Sequence, residues 1–167
     1  MGLAQATHGA HKTRLYNTWA AMRQRCSNSK DARYSNYGER GITVCAEWRE
    51  SFPTFRDWAL TNGYGEGLEI DRRDNNGDYS PENCRWVTRS ENLMNRRMNS
   101  NNTSGFKGVS ASGDKWEARI GANGSSEYLG RFATPEAAAH AYDEASMRLH
   151  GEFGKRNFAD TLACCAV

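Results

Sequence analysis

The sequence predicts an α+β chain built from two small modules, and three observations predict it. Residues 68–98 read as strand, turn, strand and helix within about 30 residues, and residues 106–160 read as three short strands followed by one helix. Between them, residues 99–105 (Asn-Ser-Asn-Asn-Thr-Ser-Gly) carry no apolar side chain and form the expected linker. Composition also changes there: four of the five Trp lie before it. The expected division is therefore 1–98, a linker at 99–105, and 106–160.

The first module opens with a helix over residues 13–26. Leu15, Trp19, Met22 and Cys26 recur at spacings of four, three and four, one apolar stripe, with Thr13 as N-cap. Residues 27–41 are rich in Ser, Asn, Tyr and Gly and read as loop. Residues 42–45 are a short strand candidate. Phe52, Phe55 and Trp58 give residues 51–60 a helical spacing, and residues 62–67 turn the chain. A strand at 68–72, a long Asn-Asn-Gly and Ser-Pro turn at 74–81 and a second strand at 84–88 follow. Thr88 with Glu91 three residues on makes a capping box that opens a helix reaching to about Met98.

In the second module, residues 106–110, 116–121 and 127–132 read as a three-stranded meander with Gly-containing turns. On the first of these strands Lys107 and Val109 share one face, with Phe106 and Gly108 on the other. Thr134 caps a helix with Pro135 at its first position, and Gly151 follows its end. Ala138, Ala141, Tyr142, Ala145 and Leu149 are its expected buried stripe.

With 167 residues at 38% hydrophobic content and a mean hydropathy of -0.85, core volume is limited, and small cores often need a further staple. The net charge of +2 hides an asymmetry: residues 1–102 carry 15 Lys/Arg against 12 Asp/Glu, and residues 103–167 carry 7 against 8. No apolar run approaches the roughly 18–20 residues that span a bilayer, which argues against a membrane partner. Residues 1–11 are polar and lack a signal-peptide apolar core. A reducing cytoplasmic compartment is expected, in which five Cys are free thiols or metal ligands.

Within residues 68–98, Asp71 ends a strand and Asn92 lies in the first turns of a helix able to fold back on it. A carboxylate and an amide oxygen converging in this way suit a hard divalent cation such as Mg2+. Such an ion binds a phosphate oxygen and stabilises a leaving group. Arg85, Arg89, Arg96 and Arg97 add phosphate-seeking charge around it. Asn83-Cys-Arg-Trp-Val-Thr88 with Glu91-Asn92 resembles the ββα-metal core of HNH homing endonucleases, such as those carried by phages. Less specifically, His8-Gly9, Arg14-Leu-Tyr-x-x-Trp19 and Tyr37-Gly-x-Arg-Gly-Ile-x-Val-Cys45 look like the leading part of such proteins. The resemblance implies Asp71 and Asn92 as ligands of Mg2+ or Mn2+, Asn83 as a loop brace, and cleavage of DNA.

Where that family has its general-base His, this chain has Arg72. A guanidinium, with a pKa above about 12, cannot accept a proton near neutral pH. Either Arg72 binds phosphate in a site that no longer cuts, or His8 or His11 supplies the base. The plain structural alternative is that residues 71–74 are a salt-bridged turn.

Cys26, Cys45 and Cys84, with His8, could converge as a Cys3His structural zinc site. Their spacing is irregular, and buried small hydrophobes are the favoured reading. Cys164 and Cys165 lie in an apolar tail with no expected role.

Residues 104–158 resemble the plant ethylene-response-factor (APETALA-type) DNA-binding domain. The matching pieces are Gly105-Phe-Lys-Gly-Val109, Trp116-Glu-Ala-Arg-Ile120, Tyr128-Leu-Gly-Arg-Phe132, Thr134-Pro-Glu-Ala-Ala138, Ala141-Tyr-Asp-Glu-Ala145, His150-Gly151 and Asn157-Phe158. A three-stranded sheet can enter a major groove with one face toward the base edges. The resemblance implies Lys107, Arg119, Tyr128 and Arg131 at or near DNA contacts, with Lys115 and Trp116 beside them. Ser110, Gly121 and Ser126 fall where that family commonly has Arg. The combined expectation is a double-stranded-DNA-binding protein of the HNH homing endonuclease type, in a bacterial or phage-infected cell. Its C-terminal sheet would select the site, a single such site would nick one strand, and a double-strand break would require a homodimer or two events. The alternatives are a catalytically inactive regulator that keeps the nuclease scaffold and, less favoured, a DNA-mimicking or protein-binding phage factor.

Overall fold

The computed structural model describes residues 13–99, 101–122 and 124–158. The chain divides into two compact units between Arg89 and Ser90, each with its own core.

In the first unit, helix α1 (Arg14–Ser27) begins where Thr13 Oγ1 accepts from the Tyr16 N–H at 3.1 Å. Its expected stripe is buried at Leu15, Trp19 and Met22. The predicted 51–60 helix is α3 (Phe52–Thr61), capped by the Ser51 hydroxyl and preceded by a short α2 (Ala46–Glu50). Trp48 of α2 packs edge-on to Phe55 at 5.2 Å and lies 4.4 Å from Trp58. Such aromatic pairs add specificity to a core short of volume. Met22, Ile42, Trp48 and Phe55 are its fully buried centre. The 27–41 loop contains two single 3-10 turns, Tyr34–Asn36 and Gly38–Arg40.

Strands β1 (Glu69–Arg72) and β2 (Cys84–Val87) pair antiparallel, with Glu69 opposite Val87 and Arg72 opposite Cys84. The expected strand at 42–45 is instead one parallel bridge, Val44 to Tyr79. Its partner is the loop between β1 and β2, which offers a single bridging residue and no ladder.

Helix α4 (Arg89–Met94) stops short of the expected Met98. The carbonyl that a continuing helix would bond to the Met98 N–H, that of Met94, accepts from Lys107 Nζ at 2.7 Å and the Lys155 N–H at 3.3 Å. The expected linker is also part of the second unit. Asn102 and Ser104 donate from their side chains to the Phe106 carbonyl, and Ser104 also to that of Val109, at 2.9–3.0 Å. Ser and Asn here satisfy the backbone of a turn. Their polarity alone did not reveal this.

The second unit is a meander, β3 (Val109–Ser112), β4 (Lys115–Ala122) and β5 (Ser125–Phe132), covered by α5 (Pro135–His150). The first strand begins three residues later than expected, so Lys107 does not share a strand face with Val109. Gly108 has φ +74°, and a Cβ there would collide with the Tyr142 ring, so 106–108 is a turn clamped under α5. Thr134 Oγ1 accepts from the Ala137 N–H, and Pro135 opens α5 as predicted. Val109, Ala118 and Ile120 meet Ala138, Ala139, Tyr142 and Ala145 in the core. Ala141 and Leu149 of the expected stripe are only half-buried, while Asp143, Ser146 and His150 are buried. Asp143 is satisfied there by the Asn157 and Phe158 N–H groups at 2.8–3.0 Å. No described helix is long and apolar enough to cross a membrane.

Candidate nucleic-acid interface

Alternation along β4 puts Ala118 and Ile120 under α5, which leaves Lys115, Glu117, Arg119 and Gly121 on the opposite face. Their cross-strand partners complete that face. Ser110 and Arg131 lie opposite Glu117, Ser112 opposite Lys115, Tyr128 opposite Arg119, and Ser126 opposite Gly121. The register shifts between Ala118 and Arg119: Gly130 pairs with Ala118 and Tyr128 with Arg119, leaving Leu129 as an extra residue. This bulge is why Tyr128 and Arg131, three positions apart, share one face.

The cations of this face are held in place. Arg119 Nε bonds Glu117 Oε1, and the guanidinium lies 5.2 Å over the Tyr128 ring. Arg131 Nη2 donates to the Ser112 carbonyl at 2.6 Å. Both remain open to solvent, at 53% and 46% side-chain exposure, and Tyr128 is 49% exposed. Fixed, solvent-facing guanidiniums lose little freedom on meeting a phosphate or a base edge. Ser110, Gly121 and Ser126 put small side chains or none on the same face. Sequence reasoning passed over Glu117 as the residue that orients Arg119; its two-residue spacing from Arg119 on one strand was the available signal.

Two of the expected contacts lie elsewhere. Trp116 packs into the cluster of Val109, Ala118 and Ala138 beneath the sheet. Lys107 is held at the Met94 carbonyl. Burial first, then the neighbouring cations Lys155 and Arg96, push its ammonium pKa down to about 8.

In the first unit, Asn83 closes the loop between β1 and β2. Its Oδ1 accepts from the Asp74 N–H at 2.9 Å, and its Nδ2 donates to the Asp74 and Asp78 carbonyls at 3.1 and 2.8 Å. Asp78 in turn accepts from the Thr43 N–H at 2.7 Å, and Asn76 accepts from Arg40, so the loop is tied to residues 40–44. Arg72 is buried, donates to the Gly77 carbonyl at 2.7 Å and lies about 5 Å from the Tyr37 and Tyr79 ring centres. Arg25 lies over the same two rings at 4.7 and 4.9 Å. Arg72 thus stacks inside the unit.

Asp71 is buried and its Oδ2 receives Arg85 Nε at 3.1 Å, with side chains only 4% and 10% exposed. This arrangement does not fit a divalent ion. The carboxylate is already neutralised by a guanidinium, which would also repel a cation. Asp71 belongs to the first unit and Asn92 to the second. Arg89 and Arg97 are exposed, and Arg96 is exposed near Lys107.

Among the described residues no three His, Cys, Asp or Glu side chains gather into a metal-holding group. His8 and His11 lie outside those residues, as do Cys164 and Cys165. Cys26, Cys45 and Cys84 are free of disulfides. Burial raises all three thiol pKa values, that of Cys84 to about 12, so each is a neutral thiol packed in or against the first core.

No family model and no solved structure matches the chain. A stretch of 46 residues, 27% of this chain, is 52% identical to dehydration-responsive element-binding protein 1B of rice, in both the japonica and indica subspecies. That stretch is 21% of each relative, so the chain spans about a fifth of the length of the curated relatives it matches. The likeness supports an ethylene-response-factor-type domain within the chain.

Proposed function

We propose that this protein binds double-stranded DNA and that the outer face of β3–β5 reads the duplex. The observation that carries this is the convergence of Lys115, Arg119, Tyr128 and Arg131 on the one sheet face that α5 leaves open. The likeness to proteins named for binding a responsive element supports it, with the 46-residue stretch assigned to the sheet-and-helix unit. Guanidinium forks on a twisted sheet suit guanine edges and phosphates in a major groove.

The test is selection of bound sequences from a random duplex pool, followed by anisotropy titrations of selected and scrambled duplexes. Arg119→Ala is expected to cost about 1–3 kcal/mol of discrimination between them. Equal, tight binding of every duplex by both proteins would remove the readout assignment. No binding to any duplex at low salt would remove the function.

The first unit serves, on this reading, as a non-cutting scaffold that adds arginine charge. Asp71 paired to Arg85, with Arg72 stacked on tyrosines, supports that assignment over an HNH-type Mg2+ or Mn2+ endonuclease. Supercoiled plasmid incubated with either ion is expected to stay intact. Nicking by the wild type that a folded Asp71→Asn variant lacks would establish the nuclease instead.

A further inference from the structure

The outer face of the sheet carries an acid among its cations. Glu117 sits on the middle strand, opposite Ser110 on one neighbour and Arg131 on the other. Its side chain is 21% exposed, against 53% for Arg119. A carboxylate there weakens the attraction of the face for a polyanion, so any gain from it comes at close range.

The hydrogen bonding indicates what that gain is. Arg119 Nε donates to Glu117 Oε1, and the guanidinium rests over the Tyr128 ring. This bond uses one of the five N–H donors of the guanidinium and one oxygen of the carboxylate. Among the described residues, neither the Arg119 Nη groups nor Glu117 Oε2 has a further hydrogen-bond partner. The pair therefore presents a donor fork tied to a neighbouring acceptor oxygen.

Base pairs differ in how they meet such a pattern. Along its major-groove edge a G·C pair offers two acceptors, guanine N7 and O6, and then a donor, cytosine N4–H. An A·T pair offers acceptor, donor, acceptor. A fork followed by a carboxylate matches the first order throughout. Against the second it sets an N–H toward the adenine amino group and the carboxylate toward thymine O4.

We propose that Glu117 is a base-reading residue. With Arg119 it recognises one G·C pair in a fixed orientation: Arg119 on guanine O6 and N7, and Glu117 Oε2 on the N4–H of the paired cytosine. The inference rests on the reading of this face as a DNA reader. It adds a repulsive element to the attractive one, since the carboxylate disfavours pairs that place a carbonyl before it. A Glu117 that merely oriented Arg119 would leave the cytosine amino group untouched.

The test uses the full chain and the duplex selected from the random pool, at the pair where Arg119→Ala relaxes the preference. Anisotropy compares that duplex with two others. One has the pair reversed to C·G. The other carries N4-methylcytosine there, which keeps Watson–Crick pairing and replaces the N–H facing the major groove by a methyl group. Wild type is expected to bind each of the two about tenfold more weakly. Glu117→Ala is expected to bind methylated and unmethylated duplexes alike. Glu117→Gln keeps an acceptor for Arg119 and is expected to share that indifference to the methyl group.

A wild type indifferent to the methyl group, while Arg119→Ala still relaxes the pair, overturns the role of Glu117 and leaves the face as a reader. An A·T pair at the relaxed position overturns it too. An Arg119→Ala variant that relaxes no position removes the readout assignment itself, and this inference with it.

Discussion

Gly108 and Lys107 adjoin in the chain and meet opposite constraints. Gly108 has φ +74° with the Tyr142 ring and the Arg119 carbonyl against the place a Cβ would take. Gly108→Ala combines backbone strain with overpacking, so a loss of about 2–4 kcal/mol is expected, read by chemical denaturation. Lys107 binds its proton less readily in the folded chain than unfolded. Between about pH 8 and 10.5 this group holds more proton in the unfolded chain, so its own contribution to stability rises with pH across that window, while the buried thiols of Cys26, Cys45 and Cys84 act in the opposite sense. Denaturation midpoints of wild type and Lys107→Met at pH 7.5 and 9.5 isolate it: the wild type is expected to gain on the variant as pH rises. At this scale the sequence proposed Arg119, Tyr128 and Arg131 from a resemblance and a strand, and all three lie on the outer face of the sheet. It did not place Lys107, because the start of β3 depends on how Gly108 meets Tyr142, a contact 34 positions away.

At the scale of elements, caps and apolar spacing were legible. Thr13 and Thr134 cap the helices they were expected to cap, and the strand, strand, helix order of residues 69–94 is present. What escaped was pairing across the hairpin. Asp71 and Arg85 are 14 positions apart, and only the register, which sets them opposite each other, turns two separately assigned residues into one ion pair. Removing one member of a buried pair strands the other, so Asp71→Ala is expected to cost about 3–5 kcal/mol. The double variant Asp71→Leu/Arg85→Met should recover most of it. A double-mutant cycle by denaturation measures the coupling; a strictly additive result would show the pair to be energetically idle. The end of α4 was misjudged for a similar reason: a lysine and a backbone N–H from far along the chain take the Met94 carbonyl that would have extended it.

For the whole molecule, charge is the informative quantity. The formal net charge of +2 would give little attraction to DNA if spread evenly. The outer sheet face instead gathers Lys115, Arg119 and Arg131 on one surface. Affinity for any duplex is therefore expected to fall about 10³-fold or more between 50 and 200 mM salt if some six phosphates are neutralised. Anisotropy at four or five salt concentrations gives the slope. A flat dependence would point to a partner other than a polyanion. The role of residues 99–105 was the least legible feature at this scale. A run of Asn and Ser looks like a flexible spacer in composition, yet those side chains tie off the turn before β3.

The extra residue in β5 has a further consequence. Leu129 packs against both apolar clusters of the second unit, and its insertion sharpens the local twist of the strand. Deleting it would leave Tyr128 and Arg131 pointing outward as before, since the pairs on either side fall back into simple alternation. What would change is curvature. One leucine sets how tightly the sheet bends, so the fit of the outer face to the groove proposed for it is governed from underneath, by a side chain packed against the core.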